Sequence, residues 1–362
     1  MKFPPFEHLH FYDRLHGARL LNISLSDVAP FTIEDFGGFA PRSRDLKWGD
    51  VAGMPFLRSN VAKLHRVPRE NVLIMTGATE ANFAAMAALV GPGDRVVADA
   101  PMYSPLRDCP RGLGADVVEV LRDCRDGWSL DLDRFRRAAN RRTKLFVLCN
   151  LNNPTSARIT KGELRDLLDL AAEHDAYVLV DETFRDLAFS DPPPSVASLG
   201  PRGIAMSTLS KMYGLGMLKV GWIVARPAVL ARVRGIRDYT TGNAPPLAQV
   251  FANWAVERHD RFVRRARKIV EENRMIYREA LERMPALHGE VPAIGNVVFP
   301  HSDVDVGKLE RLLLRKYRTV IAHGRFFAAR GVRDHFRLGL GGKSPNLRRG
   351  LANLRRALRE LT

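Results

Sequence analysis

Five short clusters hold most of the side chains in this sequence that could do chemistry. They are MTGATEA (75–81), DAPMYS (99–104), NLNNPTS (150–156), VDETF (180–184) and STLSK (207–211). Lys211 offers an amine that becomes a nucleophile or a base where its surroundings free it of its proton. Asp181 places a carboxylate at the end of an apolar run. Gly77-Ala78-Thr79 opens an Ala-rich stretch, and the free N–H groups of a starting helix favour an anion. Taken singly, each residue also has an ordinary reading: a surface lysine, a capping aspartate, a packed tyrosine at Tyr103, a turn-forming Asn153-Pro154. No nucleotide fingerprint accompanies them, because nothing matches GxGxxG or a Walker A loop.

Each cluster directly follows a strand-like run. VLIM (72–75), RVVADA (95–100), ADVVEV (115–120), KLFVLCN (144–150), AYVLVDE (176–182), GIAMST (203–208) and GWIVA (221–225) read as short strands. Between them, 78–90 and 163–174 read as helices, the second with apolar residues at i, i+3, i+4 and i+7. Alternating strands and helices predict an α/β sheet, largely parallel, whose carboxyl edge is where ligands sit. After residue 225 the character changes. Residues 247–284 read as one long, charged helical stretch. Strand-like 296–300, a helix over 306–316, strand-like 319–322 and 335–340, and a last helix from about Asn346 then predict a smaller α+β unit.

With 362 residues, 46% hydrophobic and 27% charged, the chain has ample means to bury a core, in one large domain or two. Disorder and collagen-like structure are excluded. Three cysteines, Cys109, Cys124 and Cys149, are too few and too unpatterned for a disulfide scaffold, and point to a reducing compartment. No signal peptide is expected at the N-terminus and no transmembrane helix anywhere. The net charge of +16 is concentrated in Arg-rich segments at 134–144, 258–268 and 346–356. Apolar residues at helical spacing within them read as solvated helix faces. The alternatives are a nucleic-acid surface, which no zinc-finger spacing or RNA-binding aromatic motif supports, and attraction of an acidic ligand.

In their order and spacing, TGATEA, PMYS, NNPT, DETF, SxxSK, KVGW and RLGLG resemble the class I/II aminotransferase group of fold-type I, pyridoxal-phosphate-dependent enzymes. The match runs from about Trp48 to the C-terminus. The resemblance implies a large domain (31–255) with a mostly parallel sheet flanked by helices, and a small domain built from 1–30 and 256–362. It implies pyridoxal 5'-phosphate as cofactor, an amino-acid substrate, and a cytoplasmic homodimer with its active site at the interface. Lys211 would carry the cofactor aldehyde as a Schiff base and then move the substrate α-proton. Asp181 would pair with the pyridine nitrogen, Asn153 would bond the ring oxygen, and Tyr103 would stack on the ring. Gly77, Ala78, Thr79, Thr208 and Lys219 would hold the phosphate. Arg337 would fork onto the substrate α-carboxylate. No metal site is read from the sequence.

Four positions depart from the family pattern. Phe184 stands in DETF where Tyr is common, which removes a hydroxyl from the ring oxygen. Lys219 replaces a phosphate-clamping Arg, keeping charge but losing the planar fork. Trp48 stands where a Tyr often reaches the partner subunit's phosphate. Ser156 replaces the usual Gly of the NNPT turn. The first expectation is an aminotransferase acting on an L-amino acid. The departures keep open a second, the same cofactor with a different outcome: capreomycidine-synthase-like elimination and cyclisation, oxidation or hydroxylation of arginine, or decarboxylation. A histidinol-phosphate-type substrate is a variant of the first. A third possibility, an aminotransferase-like ligand sensor fused to a DNA-binding domain, finds no helix-turn-helix in the roughly 45 residues before the first motif.

Overall fold

A computed structural model describes residues 2–46 and 50–362. Its centre is a seven-stranded sheet. In chain order the strands are β1 (Val72–Met75), β2 (Arg95–Ala100), β3 (Asp116–Leu121), β4 (Thr143–Cys149), β5 (Tyr177–Asp181), β6 (Gly203–Thr208) and β7 (Gly221–Val224). Their spatial order is β1-β7-β6-β5-β4-β2-β3. Only β7 runs antiparallel to its neighbours. The sheet is therefore largely parallel, as the alternating pattern predicts, and its strands are short unbroken Val/Ile/Leu-rich runs because both faces are covered.

Helices flank this sheet. α1 (Gly77–Leu89) buries an alanine-rich face, with Ala81, Ala84, Ala85 and Met86 fully packed. α2 (Lys161–Glu173) is the amphipathic helix expected from its spacing. Its start is fixed by a capping box in which Thr160 and Glu163 satisfy each other's backbone N–H groups.

The charged stretch expected as a single helix over 247–284 is two helices, α3 (Pro246–Glu257) and α4 (His259–Leu281). They break at Arg258, whose φ of −107° and ψ of 28° leave the helical region. The break separates an apolar segment, where Val250, Ala252, Trp254 and Ala255 are buried, from one with a basic exposed face. Beyond it come short strands: β8 (Leu287–His288), β9 (Val297–Val298), β10 (His301–Ser302), β11 (Ala322–His323) and β12 (Phe336–Gly339). The last helix is α5 (Ser344–Leu361).

The N-terminal segment returns to this C-terminal region. Leu21–Asn22 pairs in parallel with Thr319–Val320. The next residues cross the large sheet's carboxyl edge: the Val28 N–H bonds the Lys211 carbonyl at 3.1 Å and the Phe31 N–H bonds the Gly214 carbonyl at 3.0 Å. The three cysteines are free thiols. Among the described residues no helix is long and apolar enough to cross a membrane.

Candidate active site

The carboxyl ends of β1, β2, β4, β5 and β6 deliver the five chemical clusters to one cavity of about 310 Å³. Register explains the convergence. Cys149 pairs with Asp181, Asp181 with Met206, and Thr208 and Met75 both pair with Gly221. Of the residues singled out in the sequence, Gly77, Ala78, Thr79, Tyr103, Asn153, Asp181, Phe184, Thr208, Lys211, Lys219 and Arg337 all line this cavity. Trp48 lies outside the described residues. Tyr239 and Asn243 do not line it: Tyr239 is 94% exposed, and Asn243 reaches the Asp50 carbonyl.

One end of the cavity is built for an anion. α1 begins there with Gly77 at φ +80°, a left-handed conformation that glycine adopts without strain. Gly221 lets this helix start sit hard against the sheet. A Cβ on Gly221 would lie 2.8 Å from the Gly77 carbonyl carbon and 3.0 Å from the Ala78 nitrogen. The first-turn N–H groups have no partner within a helix, and the helix dipole makes that end positive. Lys219 adds a full charge at the cavity wall. The Thr208 hydroxyl donates to the Val220 carbonyl at 2.9 Å and lies 3.1 Å from Ser210 Oγ. Thr208 thus has its proton committed, and Ser210 brings a second hydroxyl to the same wall.

Asp181 is buried and accepts the Thr183 N–H at 2.9 Å. Burial pushes its carboxyl above the ordinary range, opposed by bonds from Thr183 and by the charge of Lys211. A carboxylate so placed is stabilised by a cation or an N–H brought against it. Tyr103 forms part of the wall, edge-on to Phe6 at 5.6 Å. Burial, reinforced by the charge of Asp181, raises its phenol to about 12, so it stays protonated.

Arg337 is buried with three of its five N–H groups committed. Nη1 donates to Asn153 Oδ1 at 2.9 Å, and Nε and Nη2 donate to the Ser24 carbonyl at 3.2 and 2.8 Å. Tyr12 is a further side-chain hydrogen-bond partner of this guanidinium, whose planar fork is the shape that matches a carboxylate. Lys211 Nζ donates to Asp27 Oδ1 at 2.8 Å and to Ser26 Oγ at 3.2 Å. The Phe184 ring centroid is 5.9 Å from that nitrogen, presenting a face instead of a hydroxyl.

Sequence reasoning did not single out Ser210, or the N-terminal residues Phe6, His8, Tyr12, Ser26 and Asp27, which also line the cavity. Ser210 lies inside the SxxSK motif and was legible there. The N-terminal residues reach the cavity through long-range bonds such as Asn296 Nδ2 to the Ser26 carbonyl at 2.7 Å. Only their count of aromatic and polar side chains in a short segment hints at a site.

The donor set fits a phosphorylated, protonated heteroaromatic aldehyde. The glycine cradle and helix start suit the phosphate, Asp181 suits the ring N–H, Tyr103 offers a ring face, Asn153 a polar edge and Lys211 an amine. Comparison with known proteins agrees. The model of the aminotransferase class I and II family matches residues 34–354. Capreomycidine synthase of Streptomyces vinaceus is 34% identical over 347 residues, covering 91% of this chain and 88% of its own. A PLP-dependent aminotransferase from Streptococcus suis 89-1591 superposes with a TM-score of 0.91 at 29% identity, covering 100% of this chain and 99% of its own. The PLP-dependent cyclase OrfR superposes with a TM-score of 0.89 at 25% identity, with the same coverage.

Proposed function

Since the chain belongs to the aminotransferase class I and II family and is a PLP-dependent enzyme of fold type I, we propose that it transfers the amino group of an L-amino acid to a keto acid. The observation that carries this reading is the convergence of the Lys211 amine, the Asp181 carboxylate and the Arg337 guanidinium on one cavity with the start of α1. Pyridoxal phosphate, when bound, supplies an electron sink conjugated to the substrate α-carbon.

The protein's own residues do the rest. Lys211 Nζ would hold the cofactor through its aldehyde, and a substrate amine would free it. The freed amine is then the base that takes and returns the proton at the substrate α-carbon. Asp181 keeps a proton on the ring nitrogen, since its buried charge favours an N–H partner. The first turn of α1, Lys219 and Ser210 bind the phosphate. Arg337 orients the substrate α-carboxylate, and Asn153 fixes the guanidinium. Phe6, Leu9, Tyr12 and Leu25 line the cavity from the N-terminal segment. Ile33, Met217 and Leu247 are 60%, 59% and 51% exposed, apolar surface consistent with a homodimer.

The test is spectroscopic. The protein mixed with pyridoxal phosphate should show a visible band that Lys211→Ala lacks. An L-amino acid should abolish the band, and a keto acid should restore it. A band that no amino acid and keto acid interconvert would reject transamination.

A second reading also has an observation behind it. Phe184 takes a hydroxyl away from the ring oxygen, and the similar proteins include one named for capreomycidine synthesis and one named a cyclase. In this reading the same site removes the α-proton and then expels a β or γ group, with ring closure. Mass spectrometry separates the two: cyclisation yields product with no keto acid consumed, and Phe184→Tyr should shift the partition toward transamination.

A further inference from the structure

We propose that His288, His301 and Asp303 form a binding site for a divalent transition cation of the Zn²⁺ class. None of the three lines the Lys211 cavity. His301 stands directly opposite His288 in the antiparallel pair of β8 and β10. Directly opposed residues project to the same side of a ladder, and so does the residue two positions further on, Asp303. Asp303 is itself anchored through its N–H to the Ala286 carbonyl at 3.0 Å.

One nitrogen or oxygen from each side chain lies within 4.8 Å of the other two. His288 Nε2 is 2.7 Å from Asp303 Oδ2, and His301 Nδ1 is 3.9 Å from Asp303 Oδ1. Tetrahedral bonds of about 2.0–2.2 Å place ligand atoms roughly 3.3–3.6 Å apart, so side-chain rotations that adjust the present separations, all within 4.8 Å, would complete the triad. The ion takes the place of the direct contact between His288 Nε2 and Asp303 Oδ2.

The second shell is built as well. His301 Nε2 lies 3.0 Å from Asp334 Oδ2. The two groups meet at ion-pair distance, so Asp334 puts a negative charge behind the His301 ring on the side away from Asp303. A carboxylate behind an imidazole ligand is the usual support of a zinc site. Asp334 is in turn held by His335 Nδ1 at 2.7 Å and, through its backbone carbonyl, by the Ser302 N–H at 2.8 Å. Two imidazoles and one carboxylate suit Zn²⁺, Ni²⁺ or Cu²⁺ and do not suit the all-oxygen preference of Mg²⁺ or Ca²⁺. His288 and His301 also line a cavity of about 470 Å³, from which a water would complete the coordination. Occupancy pins β8 to β10, a ladder of only two residue pairs.

The experiment is calorimetric titration of the untagged holoenzyme with ZnCl₂ in a non-chelating buffer. One site is expected, with no competition from a hundredfold excess of Mg²⁺. His288→Ala and His301→Ala should each abolish it, and His16→Ala, at an exposed histidine elsewhere, should leave it unchanged. Asp334→Asn touches no ligand atom and should weaken binding about 10- to 100-fold. Zn²⁺ should also raise the melting temperature of the wild type and not of His301→Ala. Absence of binding, or equal binding by the wild type and the two histidine variants, overturns the proposal. Equal binding by Asp334→Asn overturns the second-shell argument even where a histidine variant fails to fold.

Discussion

Lys211 Nζ and Asp27 Oδ1 are 2.8 Å apart across 184 residues of sequence, which ties the N-terminal segment to the one amine in the cavity suited to covalent chemistry. The ion pair has to be given up when that amine reacts with an aldehyde. Its Asp27 side chain is 42% exposed, so solvent screens the pair and it contributes only about 0.2–1 kcal/mol. Asp27→Asn should therefore speed covalent capture of pyridoxal phosphate by about 1.5- to 5-fold. Stopped-flow absorbance on the cofactor-free protein measures this, and slower capture would mean that Asp27 positions the amine instead of restraining it.

Two glycine-to-alanine substitutions should have opposite signs. Gly221 has no room for a Cβ, which would lie 2.8 Å from both the Gly77 carbonyl carbon and the Ser207 carbonyl oxygen. Gly221→Ala has to push α1 off the sheet edge, at about 1–3 kcal/mol of strain, and the displaced first turn should weaken binding of the cofactor phosphate. Gly235 lies in the helix Pro227–Arg237 with nothing within 4 Å of a built Cβ. Gly235→Ala should stabilise by roughly 0.4–1 kcal/mol through the unfolded chain. Urea denaturation of both variants, with a cofactor titration of the first, checks the pair.

The parts of the site carried by β1, β2, β4, β5 and β6 were legible because each motif follows an unbroken apolar run, and such runs fix both strand and strand end. Asp181 and the cluster ending in Lys211 stand at such strand ends, whereas Arg337, on β12, was assigned to the site only through the resemblance of RLGLG to the family pattern. Tyr12, Ser26 and Asp27 could not be placed one by one, because short irregular segments carry no period. Their positions depend on bonds to residues far along the chain, such as Val28 to Lys211 and Asn296 to Ser26. The expected single helix over 247–284 failed for a related reason. Helical spacing persists across Arg258, while the change from an apolar to a basic segment hides the break. Loop 237–246 likewise takes its place from long-range bonds, with Thr240 and Thr241 donating to Glu80 in the first turn of α1.

Acid should destabilise the fold through His8, which lines the cavity stacked on Phe326 at 4.9 Å. Burial, reinforced by the charges of Arg337 and Lys211, pulls this imidazole down to about 2. An unfolded histidine ionises near 6.5, so between those values the unfolded chain binds the extra proton. The stability tied to neutral His8 is complete above about pH 6.5 and is lost as pH falls from there toward 2, by about 1.4 kcal/mol per unit. His65 and His323 shift in the same direction and add to the slope. His8→Phe keeps an aromatic ring against Phe326, and between pH 7 and pH 5 it should lose about 2 kcal/mol less than the wild type. Parallel pH series of urea midpoints decide it; identical slopes would show that His8 takes up its proton without unfolding.

Ser156, where the family pattern has Gly, keeps the left-handed turn at φ +62°. A side chain there costs about 1–2 kcal/mol. The Ser156 hydroxyl offsets part of this by donating to the Val297 carbonyl at 2.8 Å and lying 3.4 Å from the Val297 N–H, which joins the NNPTS turn to β9. The neighbouring Gly295 accommodates it, since a Cβ there would come within 2.3 Å of Ser156 Oγ. Ser156→Ala keeps the backbone strain and removes the bonds, and should destabilise by about 1–3 kcal/mol. Ser156→Gly also removes the bonds but relieves the strain, at an entropic cost of roughly 0.5–1 kcal/mol. The glycine variant should therefore be the more stable of the two by about 1 kcal/mol or less. Denaturation midpoints in that order would establish that the hydroxyl compensates for the turn. An alanine variant as stable as the wild type would show that the hydroxyl contributes nothing.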